Sequence, residues 1–358
     1  MSAPAPVRVA LIGYGFAGKT FHAPLISATP GLSLGVVGSR DPAKVHADYQ
    51  YMSVVDDPFA AATDPRVELV VIATPNDSHA PLARAALAAG KHVVVDKPFT
   101  LDLAQARELI ALAKQHRRVL SVFHNRRWDS DYLGVKQAIE EGLLGSVVHF
   151  ESHIDRYRPQ VRERWREQAG PGTGVWWDLG PHLVDQALQL FGLPERVVAS
   201  LATQRRDGQV SDWAHVLLDY GQRRVILHAS MLAAGGSARF TVHGERGSLV
   251  KPRADQQEAQ LLAGVVPGSP GWGADGDDLI FHDGEGSRRL TTPSGDQRRY
   301  YMAIFDAIRE RGDNPVTPTQ ALAAMAVLEA AVESAATGRA TLPALDADER
   351  AAFSHGGA

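Results

Sequence analysis

The sequence predicts an α/β chain in two parts: a doubly wound parallel sheet first, then an α+β domain with a large, mainly antiparallel sheet. Three observations point to this. The first 122 residues alternate short apolar runs with helix-like stretches, the pattern of successive βαβ units. A Gly-x-Gly-x-x-Gly run ends the first apolar run and opens a helix-like stretch. Beyond about Asn125 strand-like runs follow one another without helices between them, which suits antiparallel pairing. At 358 residues the chain exceeds one ordinary core, and the change of pattern places the domains at 1–123 and 124–358.

The elements follow in order. Val7–Ile12, Leu32–Val37, Val67–Ile72, His92–Val95 and Val119–Phe123 are continuous apolar runs, as strands buried on both faces should be. Ala80–Ala89 and Asp102–Gln115 read as helices between them. In the second part a helix over Asp131–Glu141 precedes a strand over Val147–Ile154. An Arg-rich polar loop then leads to a helix running through His182 to about Leu190. Five strands are expected next, at Val197–Thr203, Trp213–Tyr220, Arg224–Ser230, Arg239–His243 and Ser248–Lys251. Gly264–Gly295, rich in Gly, Asp, Ser and Pro, reads as a long loop or small insertion, with Trp272 a candidate to reach an active site. Helices over Arg298–Arg311 and Thr319–Thr337 close the chain; in this reading the C-terminal helices are able to pack back on the first domain.

Composition excludes several function classes. With 44% hydrophobic and 22% charged residues the chain has the apolar material for a sizeable core. Its charge, 37 − 41 = −4, and the acids interrupting clusters such as Arg162-Glu163-Arg164 argue against a nucleic-acid binder. The absence of cysteine excludes disulfides and thiolate metal sites. The N-terminus lacks a charged leader and no apolar run approaches the roughly 20 residues of a membrane span, so a cytoplasmic protein is expected. Among the 14 histidines no HxxxH or HExxH pair with a plausible carboxylate is read, and no metal is expected.

Gly13-Tyr14-Gly15-Phe16-Ala17-Gly18 has the strand–turn–helix context of a dinucleotide fingerprint. Gly13 permits the tight turn, Gly15 lets the backbone approach a pyrophosphate, and Gly18 allows close helix–strand packing. The helix start adds N–H donors and partial positive charge. At the end of the second strand, Val37-Gly38-Ser39-Arg40-Asp41-Pro42, Asp41 suits a helix N-cap with Pro42 in the first turn. That leaves Ser39 and Arg40 for the ribose, which favours NADP. If Arg40 only stacks on the adenine, NAD serves as well.

Ala73-Thr74-Pro75-Asn76-Asp77-Ser78-His79, Asp96-Lys97-Pro98 and Asp178-Leu179-Gly180-Pro181-His182 complete a pattern. Together with the fingerprint, they resemble the Gfo/Idh/MocA family of oxidoreductases over essentially the whole chain. Gly13–Leu25 and Phe123–Asp129 are most similar to the branch that contains NADP-dependent scyllo-inositol dehydrogenases. The resemblance implies that Thr74, Pro75 and Asn76 lie along the nicotinamide ribose, with His79, Asp96, Lys97 and Asn125 also in the cofactor set. It implies that the Asp96-Lys97-Pro98 turn, with a cis bond before Pro98, sets Lys97 beside the reacting centre. Family members commonly carry Glu where this chain has Asp96. A homodimer, or a tetramer, formed through the open face of the second sheet is the implied assembly.

The chemistry of these residues fits oxidation of a secondary alcohol. Histidine suits the proton transfer and a fixed ammonium stabilises the charge developing on oxygen. His182 is therefore assigned as proton donor and acceptor, Lys97 as its electrostatic partner or a proton relay, and Asp178 as the group that orients the imidazole. If the helix includes Trp177, Asp178 and His182 share a face; if it starts at Pro181, they flank a turn. Asp185 either touches substrate or completes a network. Asp155, Arg156 and Tyr157 either bind a polyol or form a surface turn. Of Trp176 and Trp177, one is expected in the core and one toward a cleft. The expected substrate is a sugar or cyclic polyol. The alternatives are an enzyme that retains its nicotinamide through a transient oxidation, and a cofactor-bound sensor that has lost its chemistry.

Overall fold

A computed structural model describes residues 5–355. In chain order the strands are β1 Val7–Ile12, β2 Leu32–Gly38, β3 Ser53–Val55, β4 Leu69–Ile72, β5 His92–Val95, β6 Leu120–Val122, β7 Val147–Asp155, β8 Arg196–Ala202, β9 Trp213–Tyr220, β10 Arg223–Ser230, β11 Phe240–Gly244, β12 Gly247–Lys251, β13 Leu279–His282 and β14 Ser287–Leu290. The helices are α1 Ala23–Ser27, α2 Pro42–His46, α3 Pro58–Ala62, α4 His79–Ala88, α5 Leu103–His116, α6 Ser130–Glu140, α7 Val175–Phe191, α8 Gln257–Leu262, α9 Arg298–Ile308, α10 Pro318–Thr337 and α11 Ala347–His355. None of the helices among the described residues is long and apolar enough to cross a membrane. The described residues divide into two compact units, one of residues 5–125, 257–272 and 296–321, the other of 126–256, 273–295 and 322–355.

In the first unit the strands form one parallel sheet in the order β3-β2-β1-β4-β5-β6. The order reverses between β1 and β4, so their carboxyl ends diverge and leave the crevice where such sheets take ligands. The fingerprint follows β1, the Thr74 segment follows β4 and the Lys97 segment follows β5, all at this one edge. Helices start where the sequence supplies caps: the Asp102 side chain accepts from Gln105 N at 2.8 Å to begin α5, and Asp57 accepts from Phe59 N at 2.9 Å to begin α3. Helix α9 also belongs to this unit. Its Tyr300 and Tyr301 are fully buried, and the Tyr300 hydroxyl donates to Ser121 Oγ at 2.9 Å.

His92, at the start of β5, accepts the Val119 N–H on Nδ1 at 3.0 Å. Burial, reinforced by Arg118, lowers its pKa to about 4. In the unfolded chain a histidine titrates near 6.5, so on acidification the unfolded state binds the proton first. The stability His92 contributes is therefore complete above about pH 6.5 and lost progressively down to about 4. His92→Asn, which keeps an acceptor but does not titrate, is expected to flatten the fall in melting temperature across that window. An unchanged slope would assign it to other groups.

In the second unit eight strands run in the order β14-β13-β12-β11-β7-β10-β9-β8, antiparallel except for the β7–β10 pair, which is parallel. Alternation gives this sheet two faces. Phe150, Val225, Leu227, Val216, Leu218 and Phe240 are buried on one, where α7 packs on β7, β9 and β10. The other carries half-buried polar residues, among them His149, Glu151, His153 and His228.

Residues 264–295, expected as a loop or insertion, instead carry the hairpin β13–β14, which extends the sheet from β12. Leu279 and Phe281 alternate into the core. Their glycine and aspartate neighbours serve the turn: Asp283 Oδ1 accepts from Glu285 N at 3.0 Å and Gly286 N at 2.8 Å. The fully buried Lys251 ammonium reaches Asp277 at 2.7 Å and Asp275 at 3.1 Å, fastening the segment that precedes β13. Trp272 lies in the first unit, 7% exposed, with its indole N–H donated to Asp296 Oδ1 at 3.0 Å. That bond and its burial pin the ring in place. The short β3, α3, α8 and α11 were not anticipated; three to nine residues give little period to read.

Candidate active site

The first unit fits a dinucleotide. Gly13 has φ +95°, and a Cβ there would fall 2.4 Å from the Ala73 carbonyl oxygen. A Cβ on Gly18 would meet the Gly13 carbonyl oxygen at 2.0 Å, so the turn closes only with glycine at both positions. Gly15 has nothing within 4 Å of its missing Cβ, the open approach that a pyrophosphate requires. The chain continues from Gly18 to His22 as a π-helical turn running into α1. Tyr14 is buried, its hydroxyl donated to Asp48 at 2.9 Å, while Phe16 is exposed.

At the end of β2, Asp41 caps α2 by accepting from Lys44 N at 3.1 Å, with Pro42 opening the helix. The Ser39 hydroxyl accepts the Asp41 N–H at 3.2 Å, and Arg40 is exposed. Asp41, the acid that follows this strand in sequence, is thus committed to the helix.

After β4 the Ser78 hydroxyl donates to Thr74 Oγ1 at 2.7 Å, and Asn76 is buried in the turn Asn76–Ser78. His79 opens α4 and is fully buried, with Nε2 3.1 Å from the Thr74 carbonyl and Nδ1 2.9 Å from the Pro98 carbonyl. It braces the two loops against each other. Asn125 donates from Nδ2 to Gln297 Oε1 at 3.0 Å. Lys97 is half-buried and the Lys97–Pro98 bond is cis.

Behind Lys97 lies a chain of buried groups. Asp96 accepts the Lys97 N–H on Oδ1 at 2.7 Å, and its Oδ2 lies 3.9 Å from His22 Nε2. His22 Nδ1 is 2.6 Å from the Tyr301 hydroxyl, and its ring rests on Phe123 with centroids 4.2 Å apart. Burial alone would raise the Asp96 pKa, but His22, then Lys97 and His79, hold it well below the usual carboxylate range. Burial raises the Tyr301 phenol well above its ordinary value. A charged Asp96 and a neutral phenol fit the His22 tautomer with Nε2–H toward the carboxylate and Nδ1 accepting from Tyr301. Sequence reasoning missed this arrangement because His22 and Tyr301 are 279 positions apart.

In the second unit α7 begins before Trp177, so Asp178 and His182 stand one turn apart on one face. Asp178 Oδ1 lies 3.4 Å from Arg166 Nε, and His182 is 7% exposed. Trp176 is core, its indole donating to the Leu328 carbonyl at 3.1 Å, whereas Trp177 is half-buried. Asp178 shares a pocket wall with Arg164, Arg166, Arg205 and Ser211. Burial, with Arg156, Arg162 and Arg164 nearby, brings the Arg158 pKa down to about 10, the mark of crowded positive charge. Asp185 completes a network: it takes two hydrogen bonds from Arg127, at 2.9 and 2.6 Å, with both side chains buried. Asp155 ends β7 on the face opposite α7, and Tyr157 is 61% exposed with its backbone bridged to Leu232.

Comparison with known proteins agrees with this architecture. The profile described as "Oxidoreductase family, NAD-binding Rossmann fold" matches residues 7–124, and "Oxidoreductase family, C-terminal alpha/beta domain" matches residues 136–343. The uncharacterized oxidoreductase YdgJ of Escherichia coli is 56% identical over 340 residues, spanning 94% of this chain and 98% of that protein. The scyllo-inositol 2-dehydrogenase (NADP(+)) IolW of Bacillus subtilis is 36% identical over 334 residues, 92% of this chain and 93% of that one. A crystal structure from Klebsiella pneumoniae superposes with a TM-score of 0.94 at 58% identity, covering 99% of this chain and 100% of its own. A six-stranded parallel sheet with a glycine cradle, joined in sequence to an eight-stranded mainly antiparallel sheet, is thus shared along the whole length, and the chain belongs to the Gfo/Idh/MocA family of NAD(P)-binding oxidoreductases.

Proposed function

We propose that the protein transfers hydride between NADP(H) and a secondary alcohol, or the corresponding ketone, of a sugar or cyclic polyol such as an inositol. The observation that carries the reading is the register of α7, which sets Asp178 one turn before His182 on the same face. The nicotinamide, when bound, supplies the hydride acceptor or donor. His182 takes the hydroxyl proton in oxidation and returns it in reduction. Asp178 orients the imidazole and stabilises its charged form. The Lys97 ammonium lowers the energy of the negative charge developing on the substrate oxygen. Asp96 holds the Lys97 backbone, and His22 with Tyr301 keeps that carboxylate charged. Thr74, Pro75 and Asn76, in the loop after β4, flank the nicotinamide ribose in this reading. The arginines around Asp178 suit a ligand dense in hydroxyl or anionic oxygen.

NADP is the preferred cofactor because Asp41 is used as a cap while Arg40 is exposed at the same strand end. The similarity to an enzyme named for NADP(+) and scyllo-inositol supports both cofactor and substrate class. Arg40→Ala is expected to raise the KM for NADPH about tenfold or more, with little change for NADH. Equal effects on the two would leave Arg40 stacking on the adenine alone. The proposed assembly is a homodimer through the polar sheet face, with a mass that light scattering reads directly.

A further inference from the structure

The face of the eight-stranded sheet opposite α7 holds imidazoles and carboxylates that the proposed reaction does not use. On β7, His149, Glu151, His153 and Asp155 alternate onto this face. Strand register sets His228 of β10 beside His153, and His215 of β9 beside His228. Asp155 is the centre of the group. Its side chain is only 4% exposed, and neither carboxylate oxygen closes a hydrogen bond. Oδ2 lies 3.8 Å from His153 Nδ1 and Oδ1 lies 3.6 Å from His228 Nε2; Ser237 is the other group facing it. A buried carboxylate in this state calls for a positive charge.

The remaining ring nitrogens are already engaged. His153 Nε2 donates to Glu151 Oε2 at 2.9 Å, which turns the Nδ1 lone pair toward Asp155. His228 Nδ1 lies 3.3 Å from His215 Nδ1; when it donates there, Nε2 also presents a lone pair to Asp155. Histidines that bind metals characteristically pass their second N–H to such a partner. One ligand atom from each of His153, Asp155 and His228 lies within 4.8 Å of the others. Ligands about 2.1 Å from a tetrahedral ion stand about 3.4 Å apart, so the two histidine–Asp155 spacings close with shifts of a few tenths of an ångström, and the widest spacing, within 4.8 Å, closes with side-chain shifts of up to about 1.4 Å.

We propose that His153, Asp155 and His228 bind one divalent transition-metal ion of the zinc class per chain. Two imidazoles and one carboxylate select such an ion over magnesium or calcium. In the single chain the rings keep 14% and 15% of their surface, which leaves an outer coordination position for water or, in the proposed dimer, for a group of the second copy. The ion ties β7 to β10, the parallel pair of this sheet. Sequence reasoning expected no metal because it sought histidine pairs at helical spacing. His149 and His153 do stand four apart, but on a strand that spacing separates their Cα atoms by about 13 Å, and the two rings meet only through Glu151 between them. The ligands come instead from positions i and i+2 of one strand and from a neighbour supplied by register.

Chelator-treated, full-length protein titrated with Co(II) should develop visible d–d absorption saturating at one ion per chain, displaced by Zn(II). Asp155→Asn and His228→Gln should each weaken Co(II) binding at least a hundredfold. Glu151→Gln, which acts only through His153, should weaken it about tenfold. His149→Gln should leave affinity unchanged, and circular dichroism of every variant should match the parent. Failure of the parent to bind Co(II) or Zn(II) at micromolar concentration overturns the proposal. So does a correctly folded Asp155→Asn or His228→Gln that binds as tightly as the parent.

Discussion

Replacing Lys97 with alanine is expected to lower turnover about 10²- to 10⁴-fold while NADPH still binds, because the ammonium acts on charge that exists only as the reaction proceeds. The proposed cofactor cradle lies elsewhere, at Gly13, Gly15 and Gly18, and Asp96 holds the backbone of residue 97 through its N–H, which alanine retains. Nicotinamide absorbance followed over a panel of inositols, aldoses and ketoses gives turnover, and quenching of NADPH fluorescence gives binding. Lys97→Arg keeps the charge but spreads it over a planar group of different reach, so it should recover only part of the rate. Turnover within tenfold of the parent for Lys97→Ala would remove the lysine from the chemistry.

The second large effect is on stability. Asp185→Leu is expected to destabilise the protein by about 3–5 kcal/mol, since it leaves the Arg127 guanidinium buried without its carboxylate. The chain has two units, so the chemical-denaturation midpoint of the second, followed by tryptophan fluorescence, is a cleaner measure than one global free energy. Replacing both partners by apolar residues, Arg127→Met with Asp185→Leu, should recover much of the loss, because no charge is then left unpaired. If the double variant is as unstable as the single one, the cost comes from packing around Asp185 instead.

Much of the fold was legible because its signals are local. Continuous apolar runs marked the strands of the first sheet, and Asp41-Pro42 marked a cap that the structure places as expected. The segment around β13 and β14 was not legible, since the glycines and aspartates of a hairpin turn and of the Lys251 anchor look, residue by residue, like those of a loop. The loops bearing Thr74 and Lys97 were visible as motifs, but the brace between them was not. His79 was read only as a helix start with a place in the cofactor set, whereas it touches both loop carbonyls. His22 with Tyr301, and His153 with His228, depend on pairings that no spacing in the sequence announces.

The placement of α9 bears on how the protein is made. The sheet of the first unit is complete once β6 leaves the ribosome, yet the tyrosines that enclose Phe123 and His22 are encoded near the other end of the chain. Until they arrive, an apolar ring and an imidazole that end fully or nearly fully buried stay open to water and to chaperones. The nucleotide-binding half therefore cannot finish folding first, as an N-terminal domain ordinarily would. Its last step, which also delivers Tyr301 to His22, waits until almost the whole polypeptide has been synthesised.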